Sequence, residues 1–214
     1  MKNKRKIQLA DFNRMVILAT SNTLFLSRGI EGTTMDEIAH DAGFSKTTLY
    51  TYFENKQDIL DHLILDGMER FHHEVVQIAS RKNPFREFYH EFCQALIAIH
   101  DSGIVYFPGI TGKIGCSDKE MKNNKVLMNI YMLGEEINQI IAAQISRAVE
   151  KKEIKLNAPI VEIMMLFWLC LTGLVEKSSS KEAYLLRHLE KDRKYFLKFA
   201  FESLLVMIEK GTSK

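Results

Sequence analysis

The sequence predicts an all-α fold. Only three of its 214 residues are proline, nearly half are apolar, and the apolar residues recur at helical spacing with no sustained period-two alternation. Capping pairs and glycines fall between the periodic runs, where helices should start and stop. The length suits one large or two small domains with a substantial core.

The first helix is predicted from about Leu9 to Arg28, with Phe12, Val16, Ala19, Leu24 and Leu26 on its apolar side. Gly29 ends it as a left-handed C-cap. Ahead of it Lys2, Lys4, Arg5 and Lys6 form a basic stretch, which reads equally as a solvated tail or as a functional arm. No apolar run follows, so it is not a signal peptide. In "GTTMDEIAHDAG", Thr34 and Glu37 have capping-box spacing, Met35, Ile38 and Ala39 point inward, and Gly43 stops a short second helix. Ser45 caps a third helix from about Lys46 to Phe53, and "ENK" separates it from a long fourth helix, about Gln57 to Ser80. Beyond Pro84, helices are expected near 84–101, 118–152, 158–177 and 182–209, with an irregular piece around "YFPGITGKIG". The expected division is a small unit over residues 1–56 and a larger bundle over 57–214.

The most apolar stretch, "IVEIMMLFWLCLTGLV" (160–175), contains Glu162 and falls short of the roughly 20 residues of a membrane span. It reads as a helix buried on all sides within protein, and no membrane partner is expected. Cys93, Cys116 and Cys170 are odd in number and lack CxxC spacing. Free thiols in a reducing, cytoplasmic setting are the simplest account.

A formal net charge of +2 does not point to a nucleic-acid partner; the placement of particular side chains does. In "GFSKTTLYTYFENK", only Leu49 and Phe53 form an inward stripe. Lys46, Thr47, Thr48, Tyr50 and Tyr52 point elsewhere. Two short helices joined by "AGFS" have the dimensions of a helix-turn-helix, whose second helix enters the DNA major groove. Hydroxyls reach base edges or phosphates, a threonine methyl meets the thymine methyl, and Lys46 and Lys56 stand at the two ends to meet backbone charge. A merely solvated helix face explains two tyrosines among threonines and lysines less economically.

The stretch "GTTMDEIAHDAGFSKTTLYTYFENKQDIL" resembles the DNA-binding signature of TetR-type transcriptional regulators. The match runs through Ala19, Phe25, Gly29, Gly32, Thr33, Thr34, Ile38, Ala39, Gly43, Ser45, Leu49, Tyr50, Tyr52, Phe53 and Lys56, roughly the first quarter of the chain. The remainder agrees in layout, including a "LTGL" late in the penultimate helix. Thr47 and Phe44 depart from the smaller residues usual in the family. The resemblance implies a homodimer that binds a palindromic double-stranded operator and releases it when a small molecule enters the C-terminal domain. It places DNA contacts at Thr34, Ser45, Lys46, Thr47, Thr48, Tyr50, Tyr52 and Lys56. It also implies an effector cavity, expected to be bordered by Phe88, Phe92, Tyr131 and Trp168 and to take a largely apolar compound. Asn129, Asn138 and Gln139 are nearby polar side chains that read as solvated.

Two other constellations suggest different chemistry. Glu69–His72 and Glu87–His90 have the Glu-x-x-His spacing of metal-carboxylate bundles. On a helical wheel the pair on "EFYH" falls away from the inner face of Phe85, Phe88, Phe92 and Leu96. A ferritin-like metal-binding bundle is therefore the alternative from another class. "GITGKIG" spaces Gly109, Gly112 and Gly115 around Lys113, but Ile114 breaks the phosphate-loop pattern. No enzyme activity, metal or cofactor is expected.

The final helix carries two apolar stripes. Leu185, Leu189, Phe196, Phe199 and Ala200 are expected to face the chain's own core. Leu197, Phe201, Leu205 and Ile208 are expected to face a second copy, because soluble monomers rarely leave such a stripe in water.

Overall fold

The computed structural model describes residues 2–103 and 123–210. Among them are nine helices and no strand: α1 Lys2–Arg28, α2 Met35–Asp41, α3 Lys46–Tyr52, α4 Lys56–Ser80, α5 Phe85–Asp101, α6 Lys125–Glu150, α7 Ile160–Ser180, α8 Glu182–Leu189 and α9 Arg193–Lys210. The "YFPGITGKIG" piece with its glycines and Lys113, Cys116, Tyr106, Phe107 and the expected helix start at 118 lie outside the described residues.

Local chemistry accounts for most boundaries. Gly29 and Gly43 take φ of +73° and +75°, a left-handed conformation open to glycine without a Cβ penalty, so α1 and α2 end where the glycines stand. Asn55 and Asn124 cap α4 and α6 by accepting the backbone N–H of Asp58 and of Val126 and Leu127. Helices α5 and α7 follow Pro84 and Pro159, and the first N–H of α5 at Phe85 donates to Glu153 Oε2 at 2.6 Å.

Two apolar cores form. The smaller joins Ile17, Leu24 and Phe25 of α1 to Ile38 and Ala39 of α2, Leu49 and Phe53 at α3, and Ile59 and Leu63 of α4. The larger fills the bundle of α4–α7 and α9, with Phe71, Phe88, Phe92, Leu96, Ile137, Ile145 and Leu171 among its buried members. Helix α4 runs through both cores and packs mainly on α6 and α5.

The fold corrects the expectations for α1, α7 and the last helix. Helix α1 starts at Lys2 rather than Leu9, so the basic stretch belongs to its first turns, where Lys4, Arg5 and Lys6 are exposed. Its buried side is Ile17, Ser21, Leu24 and Phe25, while Phe12, Ala19 and Leu26 are exposed. Apolar residues lie on both sides of this helix, and periodicity does not say which side meets α4. Helix α7 is not covered on all sides within the chain. Ile163, Met164, Phe167, Leu171 and Val175 are buried, but Val161, Met165, Leu166 and Leu169 are exposed.

The last expected helix is two. Glu190 takes a left-handed φ of 53° between α8 and α9, which resets the helical phase. Continuity from Leu185 therefore fails beyond the break. Leu197, Phe201, Leu205 and Ile208 face the chain's own core, and Phe201 is only 3% exposed. Leu189 and Phe199, expected inside, are 49% and 61% exposed. The stripe expected to face a second copy is thus buried in the chain's own core, while of the stripe expected inside Leu185 is buried, Phe196 and Ala200 are half-buried, and Leu189 and Phe199 are open.

Candidate nucleic-acid interface

Helices α2 and α3 meet through a tightly specified corner. Thr34 Oγ1 accepts the Glu37 N–H at 3.2 Å, while Glu37 Oε2 accepts the Thr34 N–H at 2.8 Å. That backbone hydrogen bond from Thr34, with its hydroxyl and Arg28 adding to it, holds the Glu37 carboxyl below its ordinary range. Gly43 N–H and Phe44 N–H return to His40 O and Ala39 O, closing the turn. Ser45 Oγ accepts the Thr48 N–H at 3.1 Å and starts α3. Leu49 and Phe53 then anchor α3 inward, fully buried in the smaller core.

The outward face of α3 carries Lys46, Thr47 and Tyr50 in the open, with Thr48 and Tyr52 half-buried. Thr34 and Ser45 are exposed at the two helix starts. Lys46 Nζ lies 2.7 Å from Asp36 of α2, and its hydrogen bond to that carboxylate raises the lysine pKa. Both partners are more than half exposed, so the pair is weak and open to exchange for another anion. Lys56 is placed differently. Its Nζ donates to Ile30 O at 2.7 Å and ties the α1–α2 turn to the start of α4. An ammonium has three donors, so two remain for other acceptors. Thr48 Oγ1 sits 2.8 Å from Ser45 Oγ, so its hydroxyl is partly engaged within the helix start.

Two side chains that the periodicity did not single out position this surface. Asn13 Nδ2 donates to Tyr52 Oη at 3.1 Å, and the Arg14 guanidinium lies 5.1 Å from the Phe53 ring centre. Both come from α1 and hold the end of α3, the arginine through its attraction to the ring face. Their partners are 39 residues distant in sequence, beyond the reach of any local pattern.

In the body, Phe88, Phe92 and Trp168 converge with Phe85, Tyr89 and Phe167 of α5 and α7 and Ile141 and Ile145 of α6 around one void of about 20 Å³. That volume holds about one water molecule. Trp168 Nε1 donates to Asn138 Oδ1 at 2.8 Å, so Asn138 is engaged rather than solvated. Tyr131 is half-buried on α6 and does not line this void.

The Glu-x-x-His pairs do not converge. Glu69 and Glu87 are exposed, His72 pairs with Glu136 at 2.9 Å, and His90 pairs with Glu202 at 3.2 Å. Among the described residues, no group of three His, Cys, Asp or Glu side chains is placed to hold a metal ion. None of the described helices is long and apolar enough to cross a membrane.

A capped two-helix corner that presents hydroxyls, tyrosines and a lysine on a short helix, backed by a separate helical bundle, has the geometry of a helix-turn-helix. Residues 17–63 match the family described as bacterial regulatory proteins, tetR family, so the α1–α4 segment is of that type. The chain is similar to the HTH-type transcriptional repressor BepR of Brucella suis biovar 1 (strain 1330), 30% identical over 95 residues, which are 44% of this chain and 44% of that relative. The chain thus spans about half the length of that curated relative. Its fold is similar to that of the ketosteroid transcriptional regulator KstR2 of Mycobacterium tuberculosis, with a TM-score of 0.67, 14% identity, and 92% of this chain and 95% of that chain covered. It is likewise similar to the fatty acid degradation regulator FadR of Bacillus halodurans, with a TM-score of 0.66, 17% identity and coverage of 90% and 94%.

Proposed function

We propose that this protein is a homodimeric repressor that binds a palindromic operator through α3 and releases it when a small, largely apolar molecule enters the body. The observation that carries this reading is the exposed Lys46, Thr47 and Tyr50 face of a capped, seven-residue α3 within the family-matching segment. In this reading Thr47 and Tyr50 meet base edges, while Thr34, Ser45, Lys46, Tyr52 and the free donors of Lys56 meet phosphates. Thr48 stands between the two roles. Residues 1–56 then form the DNA-binding unit and 57–214 the effector and dimerisation body, with the first turns of α4 shared between them. The relative named a repressor supports the direction of regulation.

The second copy is assigned to the open side of α7 and α9. Leu169, Cys170, Gly173, Leu174, Phe199 and Met207 line an almost wholly apolar trough of 840 Å³ there. Packing this face against its two-fold mate buries the stripe in an isologous, four-helix contact. This replaces Leu197, Phe201, Leu205 and Ile208 as the dimer face.

The effector is assigned to the aromatic cluster of Phe88, Phe92 and Trp168, with Tyr131 at its outer margin. Fold relatives named for ketosteroids and for fatty acid degradation support an apolar ligand. A 20 Å³ void admits no such molecule as it stands, so the ligand must select a wider body. That expanded state is the one that lets go of DNA. The small void also favours a second reading, in which the body serves only dimerisation and no effector exists.

Duplex binding measured by fluorescence anisotropy across a salt series tests the function. The affinity should fall steeply with salt, as expected when lysines displace phosphate counterions. Weak binding with no salt dependence and no preference among duplexes would overturn it.

A further inference from the structure

Helix α4 belongs to both cores, Ile30 of the turn after α1 packs against both, and polar contacts add to this apolar junction. Among the described residues, one side-chain hydrogen bond joins α1 to the body and a second braces the head end of α4 against α6. Asn22 Nδ2 of α1 donates to Gly103 O, just past the end of α5, at 3.1 Å. Asn124 Nδ2, at the start of α6, donates to Asp61 Oδ2 of α4 at 3.3 Å.

Each contact is built into its surroundings. Gly103 has φ of +70°, and a Cβ there would stand 3.5 Å from Leu26 Cδ1, so the end of α5 lies directly against α1. Asp61 is 3% exposed and also accepts from Gln57 Nε2 at 2.7 Å, which orients the carboxylate toward Asn124. Asn124 uses its other amide atom to cap α6, so the start of α6 cannot shift without disturbing either the cap or the link to α4. The α5 end is also fixed on its far side. Arg193 of α9 donates two bonds of 3.0 Å to Asp101 and a third, of 3.1 Å, to Val175 O of α7. The head is thus connected to α7 and α9, the helices that carry the open apolar face.

We propose that Asn22 and Asn124 are positioning residues that set the angle between head and body, and so determine which half-site spacing the dimer accepts. This rests on the dimeric, operator-binding reading above. One base pair added between half-sites moves the second by about 3.4 Å along the duplex and about a tenth of a turn around it. A dimer with fixed heads must distort to follow, and one with loosened heads follows freely. Neither asparagine is placed at the DNA surface, so half-site recognition is unaffected.

The test compares wild type with Asn22→Ala, Asn124→Ser and the double variant. Serine retains the helix cap and removes the amide donor. Binding is measured on the selected operator, on versions with one base pair inserted or deleted at the centre, and on a single half-site. Wild type should discriminate against altered spacing by about tenfold or more, equivalent to about 1.4 kcal/mol. The double variant should fall to about two- to threefold with unchanged half-site affinity, through loss of two modest bonds. Hydrogen exchange without DNA should show faster exchange in the first turns of α4 and the last turn of α5, with α2 and α3 unchanged. Undiminished spacing discrimination in the double variant overturns the proposal, as does an equal loss on every duplex. Absence of sequence-specific binding by wild type would instead defeat the operator reading, and the exchange data would still decide whether the two bonds restrain the head.

Discussion

Replacing Ser45 by aspartate separates two tasks assigned to one hydroxyl. Ser45 Oγ accepts the Thr48 N–H at 3.1 Å and caps α3, which is only seven residues long. Serine and aspartate are near-equal N-caps, whereas alanine forfeits the bond at a cost of about 1 kcal/mol. Ser45→Ala should therefore lower the melting temperature by roughly 2–4 °C for a chain of this size. Ser45→Asp should leave it nearly unchanged, because its carboxylate accepts the same N–H and the Thr48 hydroxyl, now 2.8 Å from Ser45 Oγ, can still donate to it. DNA binding should respond in the opposite order. A carboxylate placed about 4 Å from a phosphate is repelled by about 1 kcal/mol in water, and a second nearby phosphate roughly doubles that. The expected loss is about 5- to 30-fold in affinity. It should shrink as salt is raised, since the repulsion is between exposed charges. Thermal melts and anisotropy titrations at two salt concentrations measure both arms. Wild-type affinity for Ser45→Asp at low salt would refute the placement of the α3 start against the duplex backbone.

Three further outcomes are expected. Thr47→Ala should shift preference among operator variants by about 1–3 kcal/mol at one position, because Thr47 is exposed on the α3 face proposed to meet base edges; equal losses on selected and random DNA would remove that role. Phe199→Glu should give a folded monomer in sedimentation, whereas Phe201→Glu should fail to fold, since truncating a buried phenylalanine already costs about 3–5 kcal/mol and a charge adds to it; a folded Phe201→Glu protein would contradict the orientation of α9. For Asp101, burial pushes the carboxyl up, but hydrogen bonds from His100 and Arg193 outweigh it and hold the pKa below its ordinary 3.8. A depressed carboxylate pKa stabilises the fold above the unfolded value and loses that contribution as pH falls through the folded one. The stability gap between wild type and Asp101→Asn should thus be full at neutral pH and close below about pH 4; a gap that is constant in denaturant melts from pH 7 to pH 3 would exclude the ion pair as its source.

Local chemistry made the recognition corner legible. The Thr34–Glu37 capping box, the Ser45 cap, the left-handed Gly29 and Gly43, and the Leu49–Phe53 anchor all depend on residues within a turn or two of one another, and each stands in the fold as the spacing indicates. What was illegible depends on distant partners. Lys56 meets Ile30 O through the packing of α4 beside the turn after α1, and Lys46 meets Asp36 through the packing of α3 on α2, so their positions as lysines did not disclose their bonds. Helices α1 and α9 each carry apolar residues on opposite sides, and only the arrangement of neighbours decides which side is buried. For α9 the phase was lost at Glu190, whose left-handed turn carries no glycine or proline to announce it. In the body, the aromatic residues of α5 and α7 do gather, but composition does not distinguish a filled core from a lined cavity. The 20 Å³ void shows the core filled.

The central claim is sequence-specific operator recognition by a two-fold dimer, and sequencing the genomic DNA fragments retained by the purified full-length protein tests it most directly. The account predicts one enriched motif with two inverted half-sites whose centres lie about one duplex turn apart, roughly 34–36 Å. Retained fragments with no shared motif, or a motif lacking two-fold symmetry, would contradict it.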